Sequence, residues 1–241
     1  LRDAGFYPVK AYQSKARTFG KEAHTRHVVR FRQRGNDAPQ VGDVIPEFGL
    51  TNSHDGSAAF QFFFGLYRLI CSNGMTAADG NIEEIRAVHT GRRDTLDNII
   101  QGSRDMMKHA PRILETVGRW QGLELSPDTQ QNMAKAALDL YGSALDLRPA
   151  RMLQARRLAD QPNNRVYNYH NDAIEGPRDL WRTFNVIQEN MIKGGIQART
   201  QTGRRSSTRT IKDVTRDLKL NRDLWTLAEG IERELPFMNN N

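Results

Sequence analysis

The chain has 241 residues, of which 38% are apolar, with 35 Lys and Arg against 28 Asp and Glu, a formal net charge of +7 and a pI near 9.7. That length suits one large domain or two small ones, and the basic excess favours a polyanionic partner such as nucleic acid. No apolar run is long enough for a transmembrane helix, and one cysteine, Cys71, leaves no internal disulfide and no thiolate-rich zinc site.

The first part of the chain reads as β-rich. Strands are expected at Phe6 to Tyr12, His24 to Arg34, Val44 to Leu50, Ala58 to Phe64 and Leu66 to Cys71. Short turns between them fit an antiparallel meander. Phe60, Phe62, Phe63 and Phe64 favour a strand buried on both faces. From about residue 93 the apolar spacing turns helical. Asp94 can cap a helix carrying Leu96, Ile99, Ile113 and Val117, with a break or kink expected at Pro111. Ser126-Pro127-Asp128 starts a second helix: a capping hydroxyl, proline at the first position and an acid facing the dipole. A short helix is expected from Pro149. Another opens at Gly176-Pro177, carries Trp181, Phe184 and Ile187, and ends at Gly194-Gly195. A last one covers Arg222 to Leu235. The expected fold is α+β: an antiparallel β-meander over 1–92, then a helical part over 93–241, as one cooperative unit.

Two stretches carry concentrated charge. Arg26, Arg30, Arg32 and Arg34 share parity on the second strand, with Val29 and Phe31 on the opposite face. Either they form a track for phosphates, or they form a sheet face with acidic partners elsewhere. Residues 198–216 hold Arg199, Arg204, Arg205, Arg209, Lys212 and Arg216 against Asp213, interleaved with Ser and Thr. Low apolar content and high charge mark that segment as mobile until a partner binds, and hydroxyls beside arginines suit phosphate oxygens.

Catalytic and cofactor signals are weaker. His24 and His27 point to opposite faces of a strand and make a poor metal pair. His54-Asp55, beside Ser53 and Ser57, leaves a hydrolytic or nuclease site open, although turn chemistry accounts for the same residues. Phosphate-loop and dinucleotide fingerprints are absent, so no cofactor, metal ligand or catalytic residue is assigned. Residues 1–20 lack a signal-peptide pattern, and a cytoplasmic setting is expected; whether a segment precedes Leu1 is open.

Leu50 to Ala58 (LTNSHDGSA), Gly65 to Gly74 (GLYRLICSNG), His89, Asp179 to Asn190 (DLWRTFNVIQEN), Lys193-Gly194-Gly195 and Leu220 to Trp225 (LNRDLW) together resemble a family of bacterial proteins with a domain of unknown function. Its members are carried by phages, plasmids and integrative elements. The resemblance implies a mobile-element setting and supplies no catalytic residue. A fold-level analogy also points to Redβ-like single-strand annealing proteins, which combine a meander with helices and assemble along DNA. The resulting expectation is a sequence-tolerant DNA-binding homo-oligomer acting on single strands. The alternatives are a host-defence antagonist that binds a protein, or a hydrolase centred on His54-Asp55.

Overall fold

The computed structural model describes residues 5–13, 25, 27–35, 44–52, 60–68, 74–75, 85–87, 93–153, 156–157, 166–167 and 179–238. They form two compact units, Leu1–Leu114 with Lys212–Thr215, and Glu115–Ile211 with Arg216–Asn241. The architecture is α+β, with an antiparallel sheet first and helices after it.

In the first unit, strands β1 (Phe6–Gln13), β2 (His27–Gln33), β3 (Val44–Asn52) and β4 (Phe60–Arg68) pair in sequence order, all antiparallel. Two short strands, β5 (Gly74–Met75) and β6 (Ile85–Ala87), also pair with β4. Pro8 lies in the edge strand β1, at a register shift, where the missing N–H breaks no central ladder. Pro46 lies in β3 just beyond the last residue paired with β2. β4 is one continuous strand where two had been expected, Ala58 to Phe64 and Leu66 to Cys71. Gly65 pairs with Glu47 within the ladder and does not break it.

One face of the sheet is aromatic. The Phe48 ring stacks on Phe31 at 5.1 Å and meets Phe6 edge-on at 4.9 Å. The other face carries Val28, fully buried, in the same parity as Arg30 and Arg32. On β2 itself the buried residues, Val28 and Arg30, share one face, while Val29 and Phe31 on the aromatic face are half-buried; the arginine row is therefore not set apart from the apolar interior.

The second unit is helical. Helix α1 (Arg93–Gly122) continues through Pro111, and its C-terminal part brings Trp120 into this unit. Helix α2 (Pro127–Tyr141) starts as its sequence dictates: Ser126 Oγ accepts from the Thr129 N–H at 3.1 Å, with Pro127 in the first turn. It stops at Gly142, whose φ of 62° is left-handed. Helix α3 (Pro149–Met152) is short. A two-residue ladder joins β7 (Arg156–Arg157) to β8 (Val166–Tyr167).

Helix α4 (Leu180–Lys193) begins at Asp179, whose carboxylate accepts from the Arg182 N–H at 2.7 Å. Gly176-Pro177, where the start was expected, lies outside the described residues. Helix α5 (Val214–Met238) begins eight residues before the expected Arg222. Asp217 and Leu220 extend its inward row by two turns, and the low apolar content of residues 214–219 conceals this.

Trp120, Trp181, Phe184 and Trp225 form the centre of this core. Trp120 lies 4.5 Å from Trp225 and 5.7 Å from Phe184, and Trp181 stacks on Phe184 at 5.8 Å. Burial of each such ring stabilises the fold by roughly 2–3 kcal/mol. Helix α4 is buried almost all round, polar residues included. Gln130 donates to Thr183 Oγ1, Gln188 to Asn221 Oδ1, and Asn190 to the Met152 carbonyl, each at 2.8 Å. Satisfied partners are what make such burial tolerable.

Candidate anion-binding surface

Parts of the stretch 198–216, expected to be mobile until a partner binds, carry secondary structure. Strands β9 (Gln197–Arg199) and β10 (Arg205–Ser207) make an antiparallel hairpin. Its order rests on backbone pairing and not on apolar burial. The Gly203 N–H donates to the Thr200 carbonyl at 2.9 Å, closing a tight turn, and Thr200 N–H donates to the Arg204 carbonyl at 2.9 Å. Gly203 has φ 79°, which a residue with a side chain adopts only at a cost. Several hydroxyls that seemed suited to phosphate instead serve this backbone. Thr200 Oγ1 accepts from the Arg204 N–H, and Thr208 Oγ1 accepts from the Ile196 N–H.

The hairpin base is fixed to α4. Gly195 N–H donates to the Thr208 carbonyl at 2.7 Å, Ile211 N–H donates to the Ile192 carbonyl at 2.9 Å, and Thr210 Oγ1 donates to the Lys193 carbonyl at 2.8 Å. Gly194 accounts for part of this closeness. Its φ is 64°, and a Cβ there would sit 2.4 Å from the Arg209 carbonyl carbon.

Arg199 and Arg205 are paired directly across the two strands. Both are exposed, as are Arg204, Arg209 and Lys212. Among the described residues no carboxylate forms an ion pair with Arg199, Arg204, Arg205 or Arg209. The Arg199 guanidinium donates to the Gly203 carbonyl at 2.8 Å, which holds it against its own turn.

A second segment completes this surface. Asp146 N–H donates to the Arg199 carbonyl at 2.8 Å, an isolated bridge that sets the approach to α3 beside β9. A cleft of about 350 Å³ is lined by Asp146, Arg148, Arg151, Gln197, Ala198, Arg199 and Arg205. Arg148 and Arg151 carried no signal in the sequence, because only the fold brings them beside residues some fifty positions away.

The other predicted stretch behaves differently. Glu47 lies opposite Arg32 in the β2–β3 register. Arg30 donates to Glu47 Oε2 through Nε at 2.8 Å and Nη2 at 2.6 Å, while Arg32 donates to Oε1 at 3.1 and 2.6 Å. Glu47 is fully buried, and Arg30 is 7% exposed. These two arginines clasp a carboxylate and do not form an open track; they follow the alternative of an acidic partner on a neighbouring strand. Arg34 is exposed beyond the strand, its N–H donating to the Gly5 carbonyl. Arg26, His24, His54 and Asp55 lie outside the described residues. Among the described residues no group of three or more His, Cys, Asp or Glu is placed to hold a metal ion, and no helix is long and apolar enough to cross a membrane.

Carboxylates elsewhere in the helical unit are perturbed. Burial raises Asp217 to about 6, partly opposed by the Asn221 amide at 2.7 Å. Burial also pushes Glu232 up, but hydrogen bonds from Arg119 and Trp120 outweigh it and leave that carboxyl below its usual range. Both lie on α5: Asp217 is bonded to Asn221 one turn on, and Glu232 to Arg119 and Trp120 of α1.

Comparison with known proteins places the chain in a family. Residues 1–225 match the family model described as "Domain of unknown function (DUF932)". The chain belongs to this family. It is 36% identical over 238 residues to the UPF0380 protein YafZ of Escherichia coli K12, and 35% identical over the same length to the UPF0380 protein YfjQ of that strain. Each alignment covers 98% of this chain and 79% of the relative. No solved structure matches. Membership agrees with the resemblance drawn from the sequence motifs and brings no assigned chemistry, so function has to be argued from the surface itself.

Proposed function

We propose that this protein binds DNA with little regard to sequence, acts on single strands of a bacterial mobile element in the cytoplasm, and does so as a homo-oligomer. The observation that carries the reading is the β9–β10 hairpin. It presents Arg199, Arg204 and Arg205 to solvent on a braced backbone, with Arg209 and Lys212 following it. Guanidiniums in that setting match phosphate oxygens bidentately. Aimed at phosphates, they hold a strand without reading its bases. The strand arginines have a smaller part, because Glu47 engages Arg30 and Arg32. Self-association belongs to the same proposal: subunits along one strand would combine modest individual affinities.

Fluorescence anisotropy with oligonucleotides of unrelated sequence, single- and double-stranded, tests it, with light scattering on the same samples. The expected result is similar affinity across sequences, a preference for single strands and an assembly larger than the 27.5 kDa chain. An absence of binding to any oligonucleotide at low salt would instead leave the basic surface to an acidic protein partner.

A further inference from the structure

The β9–β10 hairpin has one edge taken and one edge open. On the β9 side, Asp146 N–H donates to the Arg199 carbonyl at 2.8 Å, and Arg199 N–H donates back to the Asp146 carbonyl at 3.4 Å. The backbone groups of Arg199 therefore point away from β10. Arg205 stands opposite Arg199, and in an antiparallel ladder such a pair turns its backbone groups outward on both strands. The Arg205 N–H and carbonyl thus point away from β9, and so do those of Ser207, two residues on. Inward bonds alternate with them: Thr200 N–H donates to the Arg204 carbonyl at 2.9 Å, and Thr208 N–H to the Ile196 carbonyl at 3.0 Å. Arg205 and Ser207 are both exposed, and among the described residues nothing accepts from their N–H groups.

The outer strand of the larger sheet is built otherwise. β1 carries Pro8, which has no N–H, a register shift between Pro8 and Lys10, and an exposed Lys10. Such features block the addition of a strand. β10 has neither a proline nor a register shift. It is flanked by charge of one sign: Arg204, Arg205 and Arg209 are exposed, and none forms an ion pair among the described residues. A second copy of this edge would bring like charges together, which is destabilising, whereas an acidic strand would meet opposite ones. The hairpin is also braced before anything binds. Gly195 N–H donates to the Thr208 carbonyl at 2.7 Å, and Ile211 N–H to the Ile192 carbonyl at 2.9 Å. A strand held in this way loses little conformational freedom on pairing.

We infer that the outer edge of β10 takes an extended acidic segment of a partner protein as a third strand. Main-chain bonds to Arg205 and Ser207 supply affinity, and alternate side chains select the segment. Pairing is antiparallel, the more stable arrangement per residue, so the residue opposite Arg205 exchanges both main-chain bonds with it. That residue's side chain lies on the face that Arg199 and Arg205 share, where a carboxylate fits. Acidic residues at every second position therefore suit the edge. The inference goes beyond the DNA reading and stands without it, because backbone groups carry it.

The test is isothermal titration of the full chain with a blocked heptapeptide of alternating threonine and glutamate. Two isomers of that peptide are compared with it, one N-methylated at the glutamates and one at the threonines. Both keep the charge, but only the first loses the N–H groups that face β10. The glutamate-methylated isomer is expected to bind about tenfold more weakly or worse, and the threonine-methylated isomer within about threefold of the parent. Ser207→Pro removes one outward N–H, a change that edge strands accept, and should weaken the parent peptide by about fivefold or more. Lys135→Ala, an exposed cation on α2, serves as the control and should stay within about twofold. If Ser207→Pro does not fold, the methylated pair decides on the wild type alone. Equal binding of all three peptides would reduce the contact to charge and overturn the inference, as would no binding of the parent at low salt. Light scattering that shows a free dimer lost in Ser207→Pro, with no peptide binding, would put a second copy on the edge and overturn it too. Oligothymidylate titrated into the same samples separates the two readings. DNA binding without peptide binding removes the acidic strand alone, and peptide binding without DNA binding upholds it and removes the DNA reading.

Discussion

Arg199 stands directly across from Arg205 on an exposed two-strand hairpin, and no acid among the described residues forms an ion pair with either. Cross-strand like charges destabilise a sheet by a few tenths to about 1 kcal/mol. Arg199→Thr is therefore expected to raise the melting temperature slightly at low salt, with the gain shrinking as salt is added, while weakening DNA binding. Thermal melts at two salt concentrations, with anisotropy on the same samples, check this. A variant that is both less stable and unchanged in binding would make the pair structural.

Glu47→Gln is expected to damage the fold far more than it affects binding. Two guanidiniums share this buried carboxylate, and halving its bonds while removing its charge leaves Arg30 with an uncompensated cation at a 7% exposed site. Breaking a buried pair from one side costs about 3–5 kcal/mol. Urea unfolding reads the loss. Arg30→Met combined with Glu47→Met should recover much of it. Recovery would show that the triad supports the sheet and is not held in reserve for a ligand.

Gly194→Ala should destabilise the helical unit by a few kcal/mol, because the left-handed φ and the closeness of the Arg209 backbone both act against a side chain. The hairpin base would have to move. Amide exchange at Gly195, whose N–H donates to the Thr208 carbonyl at 2.7 Å, and at Thr208, whose N–H donates to the Ile196 carbonyl at 3.0 Å, is the direct readout and should accelerate. Unchanged protection there would mean that the close approach relaxes freely.

The Asp217 carboxyl, raised by burial to about 6, gives a pH dependence with a definite sign. The folded state holds its proton more tightly than the unfolded state does. Its contribution to stability is full below the ordinary carboxylate range and is lost as pH rises through about 6. Asp217→Asn should flatten that fall and stabilise the protein at neutral pH by roughly 1–2 kcal/mol, discounted because part of the carboxyl stays wetted. Denaturation midpoints between acid and neutral pH, wild type against variant, measure it. Parallel curves would rule the assignment out.

Much of the fold was legible in the chain. Alternation and aromatic content marked the meander, Ser126-Pro127-Asp128 marked α2, and Trp181, Phe184 and Ile187 marked α4. What stayed hidden depended on pairing across distance. Arg30 and Arg32 showed their shared parity, but only the β2–β3 register sets Glu47 opposite Arg32 and within reach of Arg30. Gln201-Thr202-Gly203 is a loop of the kind that joins two strands, yet the charge around it read as a mobile segment. Backbone bonds hold that hairpin, and composition does not report them. Arg148 and Arg151 became part of a basic surface only through the Asp146–Arg199 bridge.

The central claim, that the hairpin arginines hold DNA phosphates, is tested most directly by salt titration of oligothymidylate binding to the wild type and to Arg199→Ala/Arg204→Ala/Arg205→Ala. Each phosphate contact on single-stranded DNA adds about 0.7 to the slope of log affinity against log salt. The account predicts a steep wild-type slope that becomes shallower by about 2 in the triple variant, with weaker binding at every salt concentration. Identical slopes and affinities for the two proteins would contradict it.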